Sequence, residues 1–163
     1  MNIDVVAEEL VRALKRAKDA KVAADTKAKQ EQEQLETWQA AHKARVGKWR
    51  ESLVGMVQSL QGRIHKASFA SRYDDTPEPI EHSGKTAERL VTWTLGSPTF
   101  AVVTYMVYHN PSGVDGAIVR AVGRSEQDMK DTHVHDVSTV SAEILERDFT
   151  DTVHLVSRLP SSE

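Results

Sequence analysis

An α+β fold is predicted for this chain: a long N-terminal helical segment, coiled-coil or bundle-like, followed by a small antiparallel sheet of three or four strands covered by a C-terminal helix. Three observations predict it. Residues 2–68 contain no proline and repeat apolar side chains every three or four positions, the period of a helix face. Residues 73–84 (YDDTPEPIEHSG) bring two prolines and four acids, which stop that pattern. Beyond them the apolar period becomes two, as in strands.

The helical stripe is Ile3, Val6, Leu10, Leu14, Ala17, Ala24, Ala28, Leu35, Trp38, Val46, Trp49, Leu53, Met56, Leu60 and Ile64. Drawn as one α-helix it would be on the order of 100 Å long, more than one small domain can cover. It therefore needs a partner, and Leu10, Leu14, Leu35, Trp38, Trp49, Leu53 and Leu60 are the expected interface between copies. Lys21, Glu31, His42 and Arg45 interrupt the seam, so the heptads are not those of a clean zipper. The stripe changes phase near residues 42–46, and Gly47, Gly55 and Gly62 each weaken a helix. A break or hairpin near residues 42–47 is the alternative to a continuous helix. These boundaries divide the chain into a helical oligomerisation segment (1–72), an acidic linker (73–84) and a small α+β domain (85–163).

Within that domain, residues 89–95 (RLVTWTL), 99–108 (TFAVVTYMVY) and 117–123 (AIVRAVG) read as strands. Gly96, Ser97 and Pro98 form a short link, and residues 109–116 (HNPSGVDG) carry turn signals, so antiparallel neighbours follow. Residues 132–140 (THVHDVSTV) alternate as a fourth, half-exposed strand. Ser141 is placed to cap a closing helix whose Leu145, Phe149, Val153, Val156 and Leu159 share one face.

Composition narrows the classes of function. The 163 residues are 39% hydrophobic and 28% charged, as in a globular protein. The longest nearly apolar run, residues 100–108, is far below the roughly 20 residues that span a bilayer. Early acids (Asp4, Glu8, Glu9) do not fit a secretory signal, and the expected compartment is the cytoplasm. The absence of cysteine excludes disulfides, thiolate nucleophiles and cysteine-ligated metals. The net charge of -3 hides an imbalance: residues 1–72 carry 14 bases and 9 acids, residues 73–163 carry 7 and 15. Such a chain attracts polyanions, or the opposite end of another copy.

Candidate chemistry is sparse. Residues 79–86 (PIEHSGKT) match the end of a phosphate-binding loop, but proline replaces the first glycine, and a strand rather than a helix is expected to follow. His133 and His135, two apart on a strand, put both imidazoles on one face beside Asp136. His109 and Asp131 are conceivable further ligands, yet two histidines are not a site, and no metal or cofactor is expected. Ser138, His135 and Asp115 make a triad only on paper, without a nucleophile elbow. Residues 38–50 (WQAAHKARVGKWR) set two tryptophans among Lys43, Arg45, Lys48 and Arg50, a pattern that can stack on bases and contact phosphates. Core tryptophans and solubilising cations are the more common explanation of such a pattern.

The sequence therefore points to a non-enzymatic structural or interaction protein that self-associates through its N-terminal helical segment and presents an acidic domain to a protein partner. The alternatives are a nucleic-acid-binding accessory protein using Lys43, Arg45, Lys48 and Arg50, and a small metal-dependent enzyme using His133 and His135.

Overall fold

A computed structural model describes residues 2–82, 84–109 and 116–160. Helix α1 spans Ile3–Lys66 as a single element, so the break considered near residues 42–47 does not occur. Among the described residues six strands follow, β1 (Ser71–Asp74), β2 (Pro79–His82), β3 (Lys85–Leu95), β4 (Ala101–His109), β5 (Gly116–Gly123) and β6 (Met129–Asp136), and then α2 (Ala142–Ser157). The class is α+β, with two or three more strands than the sequence pattern suggested. The chain divides inside α1 into two compact units, Met1–Ala41 and His42–Glu163.

In the unit Met1–Ala41, alanine-rich helix without proline sustains the backbone, while Asp4 in the first turn complements the helix dipole. Its large aliphatic residues stay in solvent, whereas Trp38 is partly buried. Leu10 is 59% exposed and Leu14 62%, and Ile3, Val6, Val11, Val22 and Leu35 are exposed as well.

In the unit His42–Glu163 the same periodic stripe meets a different environment. His42, Val46, Trp49, Leu53 and Val57 recur at three- and four-residue spacing and are all buried. Val46, Trp49, Leu53 and Val57 share one core with Leu90, Trp93, Val103, Tyr105, Val107, Ile118 and Val122 of the sheet and Leu145, Phe149 and Val156 of α2, and His42 meets Trp49 edge to face. Trp49 and Leu53, expected at an interface between copies, are thus interior residues of this unit, and Leu60 packs against its core. The apolar period was read correctly. Its cover is the protein's own sheet.

The sheet is antiparallel with order β1-β3-β4-β5-β6, and β2 pairs the other half of β3. Residues 73–84, expected as a linker, contain the end of β1 and all of β2. Pro79 is tolerated because it opens a strand at the sheet edge, where its missing N–H removes no interior ladder bond. A bulge between Arg89 and Val91 in β3 lets Leu90 and Val91 both reach the core. The carbonyls around it are taken by Arg50 of α1, which donates to Leu90 O (3.2 Å) and Arg89 O (2.9 Å) and pairs with Glu88 (3.2 Å). Arg89 in turn pairs with Asp74 and Glu78, joining β1 and the approach to β2 to β3. The opposite sheet face carries a smaller cluster of Ala87, Met106, Val119 and Ala121.

Helix α1 ends in a Schellman-type turn. Ser68 N–H bonds to His65 O, Phe69 N–H bonds to Ile64 O, and Ser68 adopts φ 69°. Gly96, in the β3–β4 turn at φ 88°, has a conformational reason: a Cβ there would lie 2.9 Å from Pro98 O. Ser141 Oγ accepts from Ile144 N–H, capping α2 as its position in sequence suggested.

Candidate functional site

Alternation along the strands fixes which side chains look at α2. Tyr105, Arg120 and His133 are register partners across β4, β5 and β6, and Val107, Ile118 and His135 form the next row on the same face. This face belongs to the core, so the polar members of these rows must find partners under α2. Asp148 and Thr152, four apart on α2 and therefore on one face, provide them. Both are buried, on a helix face whose other buried residues, Leu145, Phe149 and Val156, are apolar.

Asp148, with 3% of its side chain exposed, is the hub. Tyr105 Oη donates to its Oδ2 at 2.7 Å, and Arg120 reaches its Oδ1 at 3.3 Å. Thr152 donates to the Asp148 carbonyl at 2.8 Å and accepts from Arg120. Burial, and then the Asp148 charge, push the Tyr105 phenol far above its ordinary value, so it remains a donor.

Both imidazoles point their Nε2 atoms at the same oxygen. His135 Nε2 lies 3.2 Å and His133 Nε2 3.8 Å from Asp148 Oδ1, and the two rings are 4.4 Å apart at their centroids. His135 is largely covered and His133 half exposed, so the cluster runs from a buried carboxylate to an imidazole in solvent. His135 Nε2 is buried and, although it lies at ion-pair distance from Asp148, makes no hydrogen bond. The three side chains offer one nitrogen or oxygen atom each, all within 4.8 Å of one another.

The histidine pair was legible in the sequence, whereas Asp148, Tyr105, Arg120 and Thr152 were not singled out. A signal existed for one of them. Arg120 sits at an inward position of an apolar strand, where a charge requires a buried counter-charge. The side chains of His109 and Asp131, the further ligands considered, and all of Asp115, the third member of the paper triad, lie outside the described residues. Residues 79–82 are strand and Lys85 begins the next strand, so no helix N-terminus follows the phosphate-loop-like segment.

Of the four cations expected to contact nucleic acid, Lys43, Arg45 and Lys48 are exposed, while Arg50 is engaged by the β3 bulge. Trp38 is partly buried, and Trp49, its companion in that segment, lies in the core. No helix among the described residues is long and apolar enough to cross a membrane. No family model matches the chain, and no curated protein or solved structure is similar to it.

Proposed function

We propose that this is a non-enzymatic assembly protein that associates with a second copy of itself through residues 3–41 of α1 and thereby brings two α+β units together. The observation that carries the reading is the exposed stripe: Ile3, Val6, Leu10, Leu14 and Leu35 recur on a helical period and remain in solvent. A helix in water depends mainly on packing of its apolar face, so this segment calls for a cover.

Charge supports a second copy as that cover, and an antiparallel one. Residues 1–11 carry three acids and no base, residues 12–21 five bases and one acid, and residues 25–36 four acids and two bases. A parallel pair would set the basic block against itself, whereas an antiparallel pair sets it against an acidic block. The division at Ala41 also revises the charge argument made from sequence. Met1–Ala41 carries 7 bases and 8 acids and His42–Glu163 carries 14 and 16, so neither unit is the strongly charged partner of the other. The pattern within α1 is what remains.

Covering a largely exposed leucine or isoleucine contributes roughly 1–2 kcal/mol, and association itself costs about 4–15 kcal/mol. The five apolar side chains from each copy therefore contribute on the order of 10–20 kcal/mol, comparable to that cost, which makes the dimer concentration-dependent. The Leu10→Asp/Leu14→Asp double variant should therefore run as a monomer in light scattering where the unaltered chain is dimeric, with the near-ultraviolet circular dichroism of Trp49 and Trp93 unchanged. A double variant that keeps the dimeric mass would refute the reading. The nucleic-acid alternative loses support, because Arg50 and Trp49 are committed to the core.

A further inference from the structure

We propose that His133, His135 and Asp148 form a binding site for one divalent first-row transition cation of the zinc type, held between β6 and α2. This site is independent of self-association through α1.

The donor set is two imidazole nitrogens and one carboxylate oxygen, which suits zinc, cobalt(II) or nickel(II) and is too poor in oxygen for calcium or magnesium. The spacing fits as well. Metal–ligand bonds of about 2.0–2.1 Å in a tetrahedral site put neighbouring donor atoms about 3.3–3.4 Å apart. The His135–Asp148 separation is 3.2 Å and the His133–Asp148 separation 3.8 Å. All three donor atoms lie within 4.8 Å of one another, and a rotation of the half-exposed His133 would draw its nitrogen toward the other two.

Hydrogen bonding around the three donors points the same way. His135 Nε2 is buried and aimed at Asp148, yet makes no hydrogen bond. A metal ion supplies the partner that this nitrogen lacks. Asp148 is already oriented by other groups: Tyr105 donates to Oδ2 at 2.7 Å, and Arg120 approaches Oδ1 at 3.3 Å. That arrangement resembles the outer hydrogen bonds that fix ligating carboxylates in metal sites. The Arg120 contact is long for a charge-assisted bond, and a carboxylate oxygen has a second lone pair, so Oδ1 can still be shared with a cation. The Arg120 charge lowers the affinity without blocking the position. Three protein ligands leave at least one coordination position for water on the His133 side.

The test uses the full chain without an affinity tag, freed of metal by a chelator and titrated with zinc by calorimetry and with cobalt(II) by visible absorption. One equivalent per chain is expected, with cobalt ligand-field bands of low-coordinate intensity. His135→Ala and His133→Ala should each weaken binding by at least about tenfold to a hundredfold, comparable to what the loss of an outer-shell partner costs. These two variants leave the Asp148 contacts with Arg120 and Tyr105 intact, and an unchanged far-ultraviolet spectrum verifies the fold. His154→Ala, which alters an exposed histidine of α2, should bind like the unaltered chain. No binding at millimolar metal would overturn the proposal and leave His135 and Asp148 as a simple polar contact. Binding that survives His135→Ala, or that is lost equally in His154→Ala, would overturn it too.

Discussion

Replacing Arg120 by methionine should destabilise the α+β unit by about 3 kcal/mol, because it leaves a buried carboxylate without its counter-ion. Asp148 has 3% of its side chain exposed, and Arg120 is the cation that reaches it at 3.3 Å. Breaking a buried pair from one side costs roughly 3–5 kcal/mol. The Tyr105 hydroxyl still donates to Oδ2 in the variant, which argues for the lower end of that range. Methionine preserves most of the side-chain volume, so little of the change comes from a cavity. Urea unfolding followed by tryptophan fluorescence reads the effect, Trp49 and Trp93 both being in the core. With a slope of about 1.5–2 kcal/mol per molar urea, the midpoint should fall by roughly 1.5–2 M. Asp148→Asn alone should also destabilise, and the Arg120→Met/Asp148→Asn double variant should lose less than the sum of the two, by on the order of 1–3 kcal/mol. The measurement is made in chelator, so that the pair is read without metal. A single-variant loss below about 1 kcal/mol, or strict additivity, would refute the view that Arg120 and Asp148 act as a coupled buried pair.

Two further outcomes follow from features of the backbone and surface. Ser68→Gly should stabilise the unit by roughly 0.5–1 kcal/mol in the same assay, because Ser68 occupies the left-handed position that ends α1 at φ 69° and glycine adopts it without a Cβ penalty; a loss of stability would contradict this. Asp74 is held below its ordinary value of 3.8, chiefly by the Thr76 backbone N–H and then by the Thr76 side chain, with Arg89 contributing less. A carboxylate with a lowered folded value adds stability that is complete above the unfolded value and disappears as pH falls through the folded one. Asp74→Asn should therefore be less stable than the unaltered chain at neutral pH and converge with it below pH 3.8. A stability gap that is independent of pH across that window would show that the effect is not ionisation.

Much of the architecture was legible in the sequence because its signals are periodic. The proline-free stripe from Ile3 to Ile64 pointed to α1, although its change of phase near residues 42–46 left a break open, and Ser141 followed by Leu145, Phe149 and Val156 gave α2 with its cap and its buried face. Strands β1 and β2 escaped because each has only four residues and because prolines and acids dominate their surroundings. Edge strands tolerate that composition, so it does not separate them from a linker. The stripe was silent on its partner. Val46, Trp49 and Leu53 have the same spacing whether they face a sheet or another helix, and only the tertiary structure distinguishes the buried second half from the exposed first. At the candidate site, the two-residue spacing of His133 and His135 was visible, but Asp148 comes from α2, and chain distance carries no information about such a contact. Tyr105 was hidden within an apolar run, where a tyrosine reads as one more core residue.

Self-association through the first unit is tested most directly by sedimentation equilibrium of the unaltered chain over a wide range of concentrations, beside the fragment of residues 42–160. The chain has a mass of 18.1 kDa. The full chain should approach twice that mass as concentration rises, while the fragment, which retains every buried residue of the core, remains monomeric and folded. A full chain that stays at its monomer mass throughout, or a fragment that dimerises as well as the full chain does, would contradict it.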